Sequence, residues 1–256
     1  MFFQFHLEQS LIYLLQIYQQ EKDWRRAIEV ASKLQHSFSK PMKKTIAQYY
    51  CELAERARAS FDKEAVQKYL KRALSMDSQC VRANLIKARF AMEQEQYEAA
   101  IKAFKRIKKQ DNRFLSETLS PLVECYQKMG NEGDMRFYLE ECVKEFPKAP
   151  LIIALTKFLQ LHQEEQINEE YIINQLKDYP SLQGLQYAIE LYLKMTEGSP
   201  IKNHFTVLKD IVSQLIAGKA AYRCTRCGYS GKTLYWNCPS CHHWNTIKPI
   251  QSLEVV

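Results

Sequence analysis

The chain has 256 residues, of which 46% are hydrophobic and 25% are charged. This balance is typical of a folded protein of one or two domains, and it excludes a disordered or fibrous chain. The net charge of +7 is spread along the sequence without a block of like charges, which argues against a nucleic-acid-binding tail. Only seven glycines are present, none before Gly130, and this scarcity favours helices. No apolar run approaches the roughly 20 residues of a membrane-spanning helix.

From the start of the chain, residues 1–217 predict pairs of helices that recur with a period of about 35 residues. Each unit has an aromatic residue in its first helix, such as Tyr18, and a small residue in its second, such as Ala27 or Ala100. The clearest units are Leu11–Lys40, Val81–Asn112 and Ser116–Pro147, with more degenerate units between and after them. The period resembles that of the tetratricopeptide repeat. It predicts an all-α solenoid, with an irregular helical bundle as the alternative.

A solenoid of this type presents a groove lined by the first helix of each pair, which binds peptides and folded partners. The sequence contains no nucleophile elbow, no phosphate-binding glycine loop and no HExxH zinc motif. We therefore predict a protein-binding scaffold and not an enzyme, with no catalytic residues.

Residues 218–256 form the second predicted domain, which contains two Cys-x-x-Cys pairs: Cys224 with Cys227, and Cys238 with Cys241. Two residues between cysteines let the backbone fold so that both sulfurs face one point, and two such knuckles complete a tetrahedral shell. The sequence thus predicts one metal site with four cysteine ligands. Because all four positions are protein thiolates, no coordination position is open, and the site is predicted to be structural.

Other uses of these cysteines fit less well. Two disulfides would require an oxidising compartment, and no signal peptide is recognisable. A thioredoxin-type pair would need a single Cys-x-x-Cys motif between strand and helix. His242 and His243 are interpreted as surface residues or as residues that contact the metal ligands without binding the ion. The remaining cysteines, interpreted as small buried apolar residues, are Cys51, Cys80, Cys125 and Cys142.

The surroundings of the four cysteines favour a small β module. Gly228 follows the first pair, where a positive φ is cheap, and Pro239 presets φ inside the second. The stretch Lys232–Trp236 is rich in β-branched and aromatic residues and predicts a strand. The connector after residue 217 is short, so we expect the module to pack against the final helices through Trp236, Trp244 and the tail up to Leu253. Exposed aromatics for a partner are the alternative.

The two knuckles resemble those of rubredoxin, although His242 stands where rubredoxin has a glycine. Tetrahedral sulfur suits iron and zinc alike, so the sequence predicts one Fe or Zn ion without deciding between them. The basic residues Arg223, Arg226 and Lys232 would offset the net negative charge of four thiolates around a divalent ion.

The order of these parts resembles the lipopolysaccharide assembly protein B (LapB) family. The resemblance is carried by the ribbon from Tyr222 to Ile250 and by the stretches Leu15–Gln20, Tyr50–Leu53 and Leu115–Leu119. Members of this family begin with a transmembrane helix and further repeats, and this sequence matches only the later part of that arrangement.

The resemblance implies a non-enzymatic adaptor at the cytoplasmic face of the inner membrane of Gram-negative bacteria. It implies a role in regulating lipopolysaccharide synthesis, with the protease FtsH, the deacetylase LpxC and assembly proteins as partners. It also implies that Cys224, Cys227, Cys238 and Cys241 are the metal ligands.

Two other functions are left open by the residues. A rubredoxin-like ribbon can cycle iron in electron transfer, and zinc ribbons with four cysteines can bind nucleic acid. The second is ranked lowest, because the ribbon has few cations and Tyr235, Trp236 and Trp244 are explained by packing.

Overall fold

The computed structural model describes residues 2–161, 169–195 and 201–250. Within these ranges the chain is mostly helical, with three short strands near its end. The helices are α1 (Phe2–Gln20), α2 (Trp24–Phe38), α3 (Lys43–Ala59), α4 (Lys63–Met76), α5 (Val81–Glu93), α6 (Tyr97–Gln110), α7 (Leu115–Met129), α8 (Glu132–Glu145), α9 (Ala149–Leu161), α10 (Glu169–Asp178), α11 (Leu182–Met195) and α12 (Lys202–Gly218). The strands are β1 (Tyr222–Cys224), β2 (Ser230–Gly231) and β3 (Ile247–Pro249).

The first eight helices form four helical hairpins: α1 with α2, α3 with α4, α5 with α6, and α7 with α8. The second helices begin at Trp24, Lys63, Tyr97 and Glu132, so the period of about 35 residues is confirmed. The repeat that looked degenerate in sequence, α3 with α4, is as regular as its neighbours. The predicted fold class is confirmed: tetratricopeptide-type helical repeats with a small C-terminal sheet. Parts of two predictions, residues 162–168 of the fifth repeat and the tail after residue 250, lie outside the described residues.

Each second helix buries an apolar stripe at positions i, i+4 and i+7, which is the spacing of one helical face. All its members are 3% exposed or less: Ala27, Ala31 and Leu34; Val66, Leu70 and Ala73; Ala100, Phe104 and Ile107; Met135, Leu139 and Cys142. The stripe begins with the small Ala27 in α2 and with the larger Met135 in α8. The side-chain volume therefore changes along the repeats, while the spacing of the buried positions is kept. This stripe is the physical basis of the repeat.

The turn inside each hairpin is built in the same way. One residue adopts a left-handed conformation, at Lys22 (φ 55), Phe61 (φ 59), Glu95 (φ 57) and Gly130 (φ 64). The next amide then donates to a carbonyl five residues back, as from Asp62 to Ala57 at 2.9 Å. Three of these four positions have a side chain, which costs roughly 1 kcal/mol relative to glycine. The scarcity of glycine therefore did not prevent tight turns.

The chain divides into two compact units. One comprises Met1–Phe114 with Trp236–Thr246, and the other comprises Leu115–Tyr235 with Ile247–Val256. The core of the first lies between its hairpins, and that of the second includes Ala149, Ile152, Ile173, Leu176, Tyr187 and Leu191. The domain boundary between residues 217 and 218 stays a prediction. Across the described ranges, no helix has both the length and the apolar character needed to cross a membrane.

Asp62 caps α4, because its carboxylate accepts a hydrogen bond from the Ala65 amide at 3.0 Å. We expect Asp62→Ala to lower the free energy of unfolding by about 1 kcal/mol, since an amide of the first turn loses its acceptor. The matched control is Gln96→Ala, because Gln96 is the N-cap residue of α6 and its side chain makes no capping hydrogen bond. Urea denaturation followed by circular dichroism measures both, and equal losses in the two variants would contradict the capping role.

Candidate metal centre

The C-terminal sheet has the strand order β2-β1-β3, and both pairings are antiparallel. Tyr222 lies opposite Gly231 in β2 and opposite Pro249 in β3. The predicted strand at Lys232–Trp236 is wrong, because this stretch is irregular and the strands lie on either side of it. The physical reason is that strand propensity needs a partner with free hydrogen-bonding groups, and β1 is already paired on both edges.

The first knuckle lies in the turn between β1 and β2. The Gly228 amide donates to the Cys224 carbonyl at 3.1 Å, and the Cys224 amide donates to the Tyr229 carbonyl at 2.7 Å. Gly228 has φ +78, as predicted from its place after the pair. The Arg226 amide lies 3.4 Å from Cys224 Sγ, so the loop also donates to the sulfur. A loop with this pattern turns both sulfurs to its inner side.

The second knuckle repeats this pattern at the corresponding residues. The His242 amide donates to the Cys238 carbonyl at 2.9 Å, and the Cys238 amide donates to the His243 carbonyl at 3.0 Å. His242 adopts φ 55, the left-handed conformation that Gly228 has in the first knuckle. His242 therefore differs in residue type from the glycine of rubredoxin, but its backbone has the same left-handed conformation as Gly228 in the first knuckle.

The four predicted ligands are brought together. The sulfurs of Cys224, Cys227, Cys238 and Cys241 all lie within 4.8 Å of one another. Four thiolates at about 2.3 Å from one ion would be slightly closer than this to one another, so the cluster fits a single tetrahedral ion. Cys224 and Cys238 are buried, while Cys227 is exposed. We propose that these four thiolates hold one Fe or Zn ion, with thiolates as the donors that both metals accept.

The histidines next to the second knuckle stay outside the cluster. His242 and His243 are exposed, and His243 Nδ1 lies 2.6 Å from the Cys241 carbonyl oxygen. Neither belongs to the ligand group found among the described residues. Their predicted place on the surface is confirmed.

Trp244 follows the second knuckle and packs into an aromatic cluster. Its ring meets Trp24 edge-on with centroids 5.8 Å apart, and meets Tyr49 edge-on at 5.6 Å. Its indole N–H donates to Gln19 Oε1 at 3.0 Å. Edge-to-face pairs of this kind add to the free energy of burial, and the polar edge of the indole is satisfied. Trp244 therefore attaches the second knuckle to α1, α2 and α3.

Trp236 makes a second attachment. It stacks on Phe114 with centroids 5.5 Å apart and an angle of 14°, and the Arg82 guanidinium lies over its ring at 5.8 Å. The expectation that both tryptophans pack against the final helices is wrong. Large aromatic partners decide where they pack, and these lie in the early repeats, far away in sequence.

Sequence reasoning missed the partners of the two tryptophans: Gln19, Trp24, Tyr49, Arg82 and Phe114. Their burial could be read from helical periodicity, but the pairing could not. The only signal was that Trp24 and Tyr49 are larger than most residues at comparable helix positions.

Helical repeats joined to a four-cysteine ribbon define the class of protein: a tetratricopeptide-type scaffold with a rubredoxin-like metal module. Residues 222–249 match a family described as "Rubredoxin metal binding domain". The chain is 33% identical over 245 residues to lipopolysaccharide assembly protein B of Escherichia coli strain K12, and 31% identical over 251 residues to that of Haemophilus influenzae strain Rd. These relatives confirm the resemblance to the LapB family. Each alignment covers 96% of this chain, which spans 63% and 62% of the relatives' lengths.

Two solved structures are also similar. The pilF protein of Pseudomonas aeruginosa has a TM-score of 0.43 and 17% identity, covering 84% of this chain and 95% of its own. PilW, a type IV pilus biogenesis factor, has a TM-score of 0.40 and 15% identity, covering 83% of this chain and 93% of its own.

We expect Cys238→Ser to reduce the metal content from about one ion per chain to a small fraction of that, because a neutral hydroxyl is a poor ligand for a soft-metal site. The matched control is Cys125→Ser, a buried cysteine outside the cluster. Elemental analysis of the folded, gel-filtered variants measures the ratio. Full metal content in Cys238→Ser would contradict the ligand assignment.

Trp244→Ala should lower the free energy of unfolding by about 2 kcal/mol, since it empties a half-buried aromatic site and leaves the Gln19 amide oxygen without its donor. The control is Tyr235, which precedes Trp236 in sequence and is 44% exposed. Tyr235→Ala should change the free energy of unfolding by less than about 0.5 kcal/mol. Chemical denaturation of both variants in the metal-loaded state tests this. A loss in Tyr235→Ala as large as that in Trp244→Ala would count against the docking role.

Proposed function

We propose that this protein is a non-enzymatic adaptor in lipopolysaccharide assembly, in which helical repeats bind partner proteins and the metal ribbon keeps the scaffold in shape. Its curated relatives are named as lipopolysaccharide assembly proteins. The four-cysteine cluster has no open position for a substrate, since every ligand is supplied by the chain. The observation that carries the proposal is a groove on the repeats.

This groove lies on the first helices of successive pairs, α7, α9 and α11, and has a volume of about 630 Å³. First helices line the partner-binding face in repeats of this kind. The groove is lined by Ser116, Leu119, Ser120, Val123, Glu124, Gln127, Pro150, Ile153, Ala154, Lys157, Phe158, Gln183, Gln186, Tyr187 and Glu190. It is long enough to touch three helices and is open at the surface.

The lining indicates an extended polypeptide as the occupant. The lining includes apolar side chains such as Val123 and Ile153 and the side-chain amides of Gln127 and Gln183. Side-chain amides offer a donor and an acceptor each, so they can pair with the backbone of an extended segment while the apolar groups take its side chains. The Lys157 ammonium lies 5.5 Å from the Tyr187 ring centroid and adds one positive charge. The lining also holds the carboxylates of Glu124 and Glu190. An extended partner segment with apolar residues fits this surface.

The particular partners in this proposal follow from the LapB resemblance. They are the membrane protease FtsH, the deacetylase LpxC and lipopolysaccharide-assembly proteins, met at the cytoplasmic face of the inner membrane. An adaptor of this kind promotes proteolysis by holding substrate and protease together, and binding is the only chemistry required. The proposal therefore assigns the repeats a positioning role and the ribbon a structural one.

Filling the groove tests the proposal. Ser120 is an exposed groove residue, and Ser120→Trp places a large ring in the space a partner segment would take. Ser75→Trp is the matched control, because Ser75 also lies on a helix at the surface but outside the groove. In cells that depend on this protein, we expect the half-life of the deacetylase to lengthen at least about threefold with Ser120→Trp, corresponding to a modest loss of binding. It should stay unchanged with Ser75→Trp.

An unchanged half-life in Ser120→Trp, with the variant folded and at normal abundance, would refute the groove as the partner site. Cross-linking from a photoreactive amino acid at Gln183 then identifies what occupies the groove. Capture of the deacetylase, the protease or an assembly protein supports the proposal. No cross-link to any of these contradicts it.

A second function is favoured by the match of residues 222–249 to a rubredoxin family. If the ion is iron and cycles between two oxidation states, the purified protein absorbs visible light and loses this absorption reversibly on reduction. A colourless protein with one zinc per chain, obtained from cells grown with iron in excess, rules this function out.

A further inference from the structure

Two cysteines outside the metal cluster meet inside the first unit. Cys51 lies in α3, and Cys80 immediately precedes α5 as its N-cap. Their sulfurs are 3.9 Å apart, and both residues are 0% exposed. In sequence they are separated by a whole helix, so the interpretation of them as isolated apolar residues is incomplete.

A buried amide is aimed at the same pair. Gln48 is 1% exposed, and its Nε2 donates to Cys80 Sγ at 3.4 Å. Its Oε1 has no hydrogen-bond partner among the described residues. Burying an amide with an unsatisfied oxygen costs roughly 1–3 kcal/mol, which is not explained if Cys80 is only an apolar residue. A donor directed at a sulfur stabilises a thiolate more than a thiol.

Other nearby groups also act on the Cys80 sulfur. The helix N-terminus at Cys80 presents backbone amides, and the Arg82 guanidinium is nearly buried while it pairs with Glu52 at 2.8 Å. The hydrogen bond from Cys51, above all, lowers the pKa of Cys80. Burial and the Asp77 charge oppose this shift, while the Ala83 amide and the Arg82 charge add to it. Burial raises the pKa of Cys51. The hydrogen bonds directed at its sulfur thus make Cys80 the more readily ionised thiol of the pair.

We propose that Cys51 and Cys80 are a redox pair that forms a disulfide when a hydroperoxide oxidises the protein. The Cys80 thiolate attacks one peroxide oxygen, the O–O bond breaks, and the leaving oxygen takes a proton from solvent. Cys80 is then a sulfenic acid. The Cys51 sulfur attacks the Cys80 sulfur, the S–O bond breaks, and hydroxide leaves as water with the Cys51 proton. Two electrons pass from the sulfurs to the peroxide, and with hydrogen peroxide two waters form.

The pair is placed to affect the ribbon. Closing the bond shortens the distance between the sulfurs from 3.9 Å to about 2.05 Å, by rotation of the two side chains, by a shift of α3 against the start of α5, or by both. Tyr49 of α3 contacts Trp244, and Arg82 of α5 contacts Trp236. A shift of either element on oxidation would therefore reach the residues that hold the two ribbon tryptophans.

The experiment uses the whole metal-loaded chain. It is exposed to hydrogen peroxide, free thiols are blocked with N-ethylmaleimide, and the digest is analysed by mass spectrometry. We expect a peptide pair linked through Cys51 and Cys80 in the wild type and in Cys125→Ser. In Cys51→Ala, dimedone should label Cys80 as a trapped sulfenic acid. In Cys80→Ala, Cys51 should be labelled at least about tenfold less, because a raised pKa leaves less thiolate.

The controls separate a native switch from oxidation of unfolded chain. Cys125 is buried and its pKa is raised to about 11, so it should react at least about tenfold more slowly than Cys80. At a given peroxide concentration, the Cys51–Cys80 disulfide must form as fast in dilute urea, below the unfolding transition, as it does in buffer. A linkage that forms only in the transition region, or equal dimedone labelling of Cys51, Cys80 and Cys125, would overturn the proposal. The proposal would also be overturned if Cys51 and Cys80 stayed unlinked in folded protein whose ribbon thiols had already been oxidised.

Discussion

The structure depends on one constraint: a single helical hairpin cannot bury its own apolar face. In each of the four hairpins the second helix keeps a stripe at i, i+4 and i+7 that is almost completely removed from water. That stripe needs the first helix of its own pair and the neighbouring pair as well, so the repeats are stable only when stacked. Residue size varies along the stripe, from Ala27 to Phe104, while its position does not. Hairpin length and turn geometry follow from keeping this register.

The ribbon is organised by a different kind of order. Its two knuckles have the same hydrogen bonds at corresponding residues, and both use a left-handed residue, Gly228 in one and His242 in the other. Backbone geometry therefore turns the sulfurs inward, before any metal is considered. Because such a small sheet buries little apolar surface, it needs a further source of stability. Trp236 and Trp244 supply part of it, and a bound ion would supply the rest.

Adaptor function and redox chemistry place different demands on the same scaffold. The proposed partner groove on α7, α9 and α11 is open at the surface. The proposed redox pair, Cys51 and Cys80, is buried, and its sulfurs must approach by about 2 Å to form a disulfide. The chain meets these demands in different repeats. Substitutions at Ser120 and at Cys80 should therefore test the two proposals separately.

The sequence by itself determined the features that depend on local spacing. These are the repeat period, the buried stripes, the two Cys-x-x-Cys knuckles and the positive φ at Gly228, because each is set by residues a few positions apart. Tertiary structure alone decided which distant residues meet. Trp244 lies against Trp24 and Tyr49, Cys51 lies beside Cys80, and the stretch before Trp236 is irregular since β1 has no free edge. Such contacts depend on how stacked helices bring remote positions together, and no periodicity encodes that pairing.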